Sequence, residues 1–153
     1  MKDFDQIAAQ IIERLPYADP FLFVDRLIEI SDSHFKGEYS FRDDAFFYRG
    51  HFKNKPVTPG VILLEAMGQT GLVCFGIYLL GLYKNSEEVT PMLSTLEADF
   101  YRAVLPGSKV IISAEKVYLR KNILKCKIEM TDTSGERIAV STAICSFIKE
   151  KHE

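Results

Sequence analysis

Apolar and polar residues alternate along this chain in three different ways, and each way predicts its own element. Near the start, Ile7, Ile11 and Ile12 fall on one side of a short amphipathic helix that ends before Pro16. In the middle, residues 60–83 are almost wholly apolar, interrupted by Glu65, Gln69 and scattered glycines. Most of the other hydrophobic runs, at 22–30, 35–41, 92–102, 109–119, 123–131 and 138–149, read as strands. The clearest sets Leu124, Cys126, Ile128 and Met130 against Lys125, Lys127 and Glu129, one face buried and one wet, as in an antiparallel sheet. Turns are marked by Pro106-Gly107-Ser108, Arg120-Lys121-Asn122 and Asp132-Thr133-Ser134-Gly135.

The central run is long enough to cross a bilayer. A helix apolar on every side is equally suited to a protein interior, and strands before and after it predict a buried central helix instead. Pro59-Gly60 suits its first turn, where the missing proline N–H costs nothing. Lys84-Asn85-Ser86-Glu87-Glu88 closes it. The sum is an α+β fold, one domain over 1–153, with antiparallel sheet wrapped around a long helix. Such a sheet leaves edges and a face open, which predicts a homo-oligomer with a site near the subunit boundary.

Composition narrows the function. The 153 residues are long enough for one real core, and 47% hydrophobic with 26% charged is ordinary soluble usage. A net charge of -2 argues against a dedicated nucleic-acid binder. The three cysteines, Cys74, Cys126 and Cys145, lack metal-ligand spacing and sit in apolar segments, so buried reduced thiols are expected. Acids near the N-terminus, where a signal peptide would be basic, point to a cytoplasmic protein.

One short run concentrates the chemistry: Gly50-His51-Phe52, Pro56-Val57-Thr58-Pro59-Gly60, then Val61-Ile62-Leu63-Leu64-Glu65-Ala66-Met67. His51 precedes a helix start, and Glu65 lies one to two turns inside an apolar helix. A carboxyl there costs several kcal/mol of desolvation unless it is satisfied or neutral, and the neutral form is the one a general acid needs. Gln69, four residues on, shares its helix face and can orient it. Free N–H groups at Gly60 and Val61, at the positive end of the helix dipole, can polarise a carbonyl oxygen. These parts suit loss of water from a 3-hydroxyacyl thioester. His51 takes a proton from C2, the helix start holds the enolate-like oxygen, and Glu65 protonates the departing C3 hydroxyl. Neither a metal nor an organic cofactor is required. An isomerase or a hydratase could use the same groups.

The chain resembles the 3-hydroxyacyl-[acyl-carrier-protein] dehydratases of FabZ type, which have a hotdog fold. The likeness rests on Leu15-Pro16, Pro20-Phe21-Leu22-Phe23-Val24-Asp25-Arg26, Gly50-His51-Phe52, Pro56-Val57-Thr58-Pro59-Gly60, Glu65-Ala66-Met67-Gly68-Gln69 and Phe100-Tyr101-Arg102-Ala103-Val104-Leu105-Pro106-Gly107. It implies His51 and Glu65 as the catalytic pair, contributed by different subunits of a dimer; whether such dimers assemble into a trimer of dimers is left open by the sequence. It also implies that the Gly60 N–H holds the thioester carbonyl and that the Val57 carbonyl orients His51. Glutamate at 65, where the related dehydratase/isomerase branch has aspartate, favours dehydration without isomerisation.

Several positions depart from the family pattern, and they bear on chain length, gating and carrier identity. Lys53-Asn54 replaces Pro-Gly, Thr58 replaces methionine, and Tyr17-Ala18 replaces a basic His-Arg pair. Asp99-Phe100-Tyr101-Arg102-Ala103 stands where the family has Arg-Phe-Arg-Arg-Pro along its acyl tunnel, which makes Phe100 and Tyr101 tunnel candidates. The implied partner is an acidic acyl carrier protein, and Arg49, Lys53 and Lys55 beside the His51 loop are the candidate docking residues. Lys116, Arg120, Lys121, Lys125 and Lys127 form a second basic stretch, which reads as a solvated strand face ahead of a docking surface. Fatty-acid synthesis or a specialised polyene, pigment or lipid pathway would use such an enzyme. The competing readings are a hotdog thioesterase, with Glu65 activating water, and a non-catalytic carrier-binding subunit.

Overall fold

In a computed structural model, which describes residues 2–149, a short helix α1 (Lys2–Glu13) is followed by two strands, β1 (Arg26–Ile30) and β2 (His34–Ser40). The central helix runs from Gly60 to Leu79 as α2 (Gly60–Gly68), a wider π-helical turn over Gln69–Cys74, and α3 (Phe75–Leu79). Four long strands follow: β3 (Val89–Phe100), β4 (Lys109–Arg120), β5 (Ile123–Thr131) and β6 (Arg137–Lys149). All six strands form one antiparallel sheet in the order β1-β2-β4-β5-β6-β3. The helix is long and apolar enough to span a membrane, yet most of it is buried against this sheet.

Alternation explains how the sheet grips the helix. Along β5, Leu124, Cys126, Ile128 and Met130 are buried while Lys127 is exposed; along β6, Ala139, Ser141, Ala143, Cys145 and Phe147 take the inner face. Glycines let the helix backbone come down onto these strands. A Cβ at Gly71 would stand 2.8 Å from the Ile128 side chain, and one at Gly76 would run into the Phe147 ring. Phe23, Phe35, Phe41 and Phe75 fill the space around the helix, each fully buried and worth about 2–3 kcal/mol of transfer free energy. Phe35 stacks on Phe75 at 5.1 Å, joining β2 to α3.

Three boundaries differ from the sequence expectation, each for a local reason. The run 22–30 becomes a strand only at Arg26, because the Phe23 N–H donates to the Gln69 side chain at 2.8 Å instead of to a neighbouring strand. The helix does not run unbroken to residue 83. Gly81 takes a left-handed conformation (φ 69), which stops the helix, and a short tight turn follows over Leu82–Lys84. β3 starts at Val89 and ends at Phe100, and it accommodates Pro91 because it pairs only with β6 and its other edge is open.

That open strand matters for function. Register places Leu93, Leu96 and Phe100 opposite Cys145, Ala143 and Ala139, on the helix side of the sheet. Yet all three are exposed, as are Met92 on the same strand and Val61 on the first helical turn. The fold therefore leaves an unpaired strand edge beside an uncovered apolar face, the arrangement that a second copy or another chain closes.

Candidate active site

The loop before the helix is built to fix one imidazole. Tyr48, in the short turn Phe46–Arg49, is buried and its hydroxyl shares a 2.6 Å hydrogen bond with Thr58. The Thr58 N–H donates to the Val104 carbonyl at 2.8 Å, so the end of the loop is pinned to the segment after β3. His51 and Val57 then bond twice. The Val57 N–H donates to the His51 carbonyl at 2.9 Å, and His51 Nδ1 meets the Val57 carbonyl at 2.9 Å. A carbonyl only accepts, so Nδ1 carries the hydrogen and Nε2 is left as the open lone pair, the atom a general base uses. The Phe52 ring stacks on the imidazole at 3.8 Å. Phe52 and Lys55 exchange backbone hydrogen bonds at 2.9 and 3.2 Å, closing a tight turn that holds Lys53 and Asn54 in solvent.

The helix start lies directly after this loop. Ile62 and Leu63 donate to the Pro59 carbonyl at 2.9 and 3.1 Å. The Gly60 and Val61 N–H groups precede the first intrahelical bond and have no helical acceptor. A shallow groove beside them is lined by Val57, Thr58, Gly60, Leu63 and residues 100–103. The Phe100 ring lies close enough that a Cβ at Gly60 would stand 3.2 Å from it, so a side chain there would require the ring to shift by a few tenths of an ångström. Tyr101 also lines the groove, with the Arg137 guanidinium 5.8 Å from its ring centre.

Glu65 serves a different, deeper space. Together with Tyr17, Val61, Leu64, Gly68, Leu72, Leu93, Leu96 and Cys145 it lines a largely apolar pocket of about 310 Å³ between the helix and the inner face of β6 and β3. Gln69 is buried beneath it and holds it: Nε2 donates to Glu65 Oε1 at 3.0 Å and to the Phe21 carbonyl at 3.0 Å, while its oxygen accepts the Phe23 N–H. All the hydrogen-bonding atoms of Gln69 are thereby committed, and one Glu65 oxygen is fixed. Glu65 is half-buried, with its pocket face open.

The fold of one chain does not bring all candidates together. Val57 is joined to His51 and Gln69 to Glu65, but among the described residues His51 is not part of the lining of the pocket that holds Glu65. Phe100 and Tyr101 line the groove at Gly60, not the pocket at Glu65. Arg49, Lys53 and Lys55 are exposed around the loop. The second basic stretch lies on the β4–β5 hairpin, where Arg120 and Lys125 stand over the Tyr118 ring at 4.4 and 6.0 Å. Among the described residues no group of three or more His, Cys, Asp or Glu side chains converges as a metal site would. The three thiols are buried and free; burial pushes Cys126 up to about 12 and Cys145 up to about 11.

One pocket residue escaped the sequence reading. Tyr17 stood out only as a departure after Leu15-Pro16, yet it lines the pocket with Glu65. Burial first, then the nearby Glu65 charge, push its phenol well above the usual tyrosine range. The pairing depends on how the chain after α1 crosses the helix, which leaves no periodic signal.

Comparison with known proteins places this geometry in a family. The FabA-like domain matches residues 15–142, a span that holds the His51 loop, the whole central helix and most of the sheet. A 3-hydroxyacyl-[acyl-carrier-protein] dehydratase FabZ of Petrotoga mobilis is 34% identical over 119 residues, covering 77% of this chain and 81% of that one. The FabZ of Erwinia tasmaniensis is 32% identical over 148 residues and covers 92% of both chains. Among solved structures, the dehydratase heterocomplex ApeI:P from Xenorhabdus doucetiae superposes with a TM-score of 0.76 at 15% identity, covering 92% of this chain and 91% of that one. A thioesterase from Haemophilus influenzae gives 0.59 at 18% identity over 84% and 82%. These two likenesses concern the fold alone. The matched span and the identity to relatives along most of their length make this chain a member of the FabA-like family, with its hotdog fold.

Proposed function

We propose that this protein removes water from (3R)-hydroxyacyl thioesters carried on acyl carrier protein, giving trans-2-enoyl thioesters in fatty-acid or related acyl synthesis. The observation that carries the reading is the state of its two polar groups. His51 has its tautomer set by the Val57 carbonyl with Nε2 open, and Glu65 is held by Gln69 at the mouth of an apolar pocket. The names of the relatives, 3-hydroxyacyl-[acyl-carrier-protein] dehydratases, support the same activity.

The chemistry follows from those groups. Nε2 of His51 takes the proton from C2. The N–H groups at Gly60 and Val61, with the helix dipole behind them, stabilise charge on the thioester oxygen as it develops. Glu65 gives its proton to the C3 oxygen, the C3–O bond breaks with its electron pair, and water leaves. The Phe100 and Tyr101 groove receives the thioester end, and the pocket takes the acyl chain.

Within one chain His51 does not line the pocket that holds Glu65, so the reading includes a homodimer. Pairing of two β3 edges covers Leu93, Leu96 and Val61 and carries His51 of one subunit toward the pocket of the other. Arg49, Lys53 and Lys55 surround the entrance with positive charge suited to an acidic carrier protein. A soluble place of action in the cytoplasm fits that partner. The test is an assay of purified protein with (3R)-hydroxyacyl carrier protein, following enoyl and free thiol together. Enoyl product lost in both His51→Ala and Glu65→Gln is the expected result. Thiol release without enoyl would assign a thioesterase, and carrier binding without either product would assign a non-catalytic subunit.

A further inference from the structure

Four polar side chains line the pocket at Glu65: Glu65 itself, Tyr17, Ser141 and Cys145. Two are turned to other duty or shut away. The Cys145 thiol leans on the Ser146 carbonyl at 3.6 Å, and the Ser141 hydroxyl is sealed from solvent. Gln69 is no help to a ligand, because both its amide hydrogens are spent on Glu65 and Phe21. Tyr17 differs. It is half-buried against the pocket, and among the described residues its hydroxyl has no hydrogen-bond partner. A phenol in that setting, beside a carboxyl with one uncommitted oxygen, is a donor waiting for an acceptor.

Resting on the dehydratase reading above, we propose that Tyr17 is a further catalytic residue, whose hydroxyl hydrogen-bonds the C3 oxygen that Glu65 protonates. During elimination Glu65 passes its proton to that oxygen as the C3–O bond breaks with its electron pair. His51 removes the C2 proton, and the C–H pair becomes the C2–C3 double bond. Tyr17 keeps its own proton throughout and stabilises the departing water as a donor. Burial, which disfavours the phenolate, keeps that proton on the phenol, as a donor requires. Tyr17 thereby supplies the contact that distinguishes a 3-hydroxyacyl chain from a saturated one.

The Tyr17→Phe variant removes only the hydroxyl from a half-buried ring, so the fold is retained and a thermal melt checks it. We expect kcat to fall roughly tenfold to a hundredfold, the range set by loss of one buried hydrogen bond. A second readout separates contact from packing. In a Glu65→Gln background, which stops turnover, affinities are measured for a 3-hydroxyacyl pantetheine and for its 3-deoxy counterpart. Adding Tyr17→Phe should weaken the hydroxylated ligand about tenfold and leave the deoxy ligand unchanged. A kcat within about twofold of wild type, or equal weakening of both ligands, would overturn the proposal. Absence of enoyl from the wild type would overturn the dehydratase reading instead, and the paired affinities would still decide whether Tyr17 touches the ligand hydroxyl.

Discussion

The two sides of the central helix are built on opposite principles. Against β5 and β6 the helix is pressed so close that Gly71 and Gly76 leave no space for a methyl group, and Ile128 and Phe147 occupy it instead. Toward β3 the same helix presents Val61, 72% exposed, and a half-buried Glu65 over a pocket, while Leu93 on the strand is 57% exposed. The closed side supplies stability. The open side leaves apolar surface and a carboxyl uncovered, at a cost that stability alone does not explain, and Glu65 and Tyr17 line its pocket.

Breaking the open side should cost activity and little stability. His51→Ala removes the base and should lower kcat/KM by about 10²–10⁴-fold, or about 3–5 kcal/mol on the barrier, with the melting temperature nearly unchanged. Leu93→Glu places a charge on the uncovered face of β3. On the homodimer proposed above, it should yield a monomer by sedimentation and abolish turnover, while denaturation shifts by no more than about 0.5 kcal/mol after allowance for dissociation. The closed side should respond in reverse. Gly76→Ala forces the Phe147 ring to move and should destabilise by about 1–3 kcal/mol in urea unfolding, with kcat retained in whatever remains folded.

The smallest effect concerns the buried thiols. In the unfolded chain they ionise near about pH 8.5, whereas burial lifts Cys145 to about 11 and Cys126 to about 12 in the folded protein. The folded state therefore keeps protons that the unfolded state gives up. This contribution to stability is whole below about pH 8.5 and fades as pH rises toward those folded values. A thiol reagent at pH 8 should label none of the three rapidly in native protein and all three in urea; fast labelling of Cys126 in native protein would contradict the packing.

Much of this was readable from residue order. The β5 alternation and the Gly60 helix start gave their elements directly, and the Gly50-His51-Phe52 to Gln69 run carried both the family resemblance and the pairing of Gln69 with Glu65. What stayed hidden depends on contacts between distant segments. Gln69 drawing the Phe23 N–H out of a strand, at 46 residues' separation, shortened β1 in a way no local pattern shows. The π-helical turn at Gln69–Cys74 reflects packing of that segment against the sheet, and its apolar composition reads the same in either helix form. Tyr17 reaching the Glu65 pocket is likewise a matter of tertiary path. The separation of His51 from the Glu65 pocket of its own chain is also tertiary, and in the sequence only the family resemblance implied it.

That separation gives the most direct test. The His51→Ala and Glu65→Gln proteins, each inactive alone, would be mixed, allowed to exchange subunits, and assayed for enoyl formation. A dimer of one of each has an intact site only if His51 and Glu65 act across the subunit boundary. Return of activity on mixing, absent when either variant is mixed with the double variant, is the expected result. Mixtures that exchange subunits yet stay inactive would contradict a site shared between the two copies.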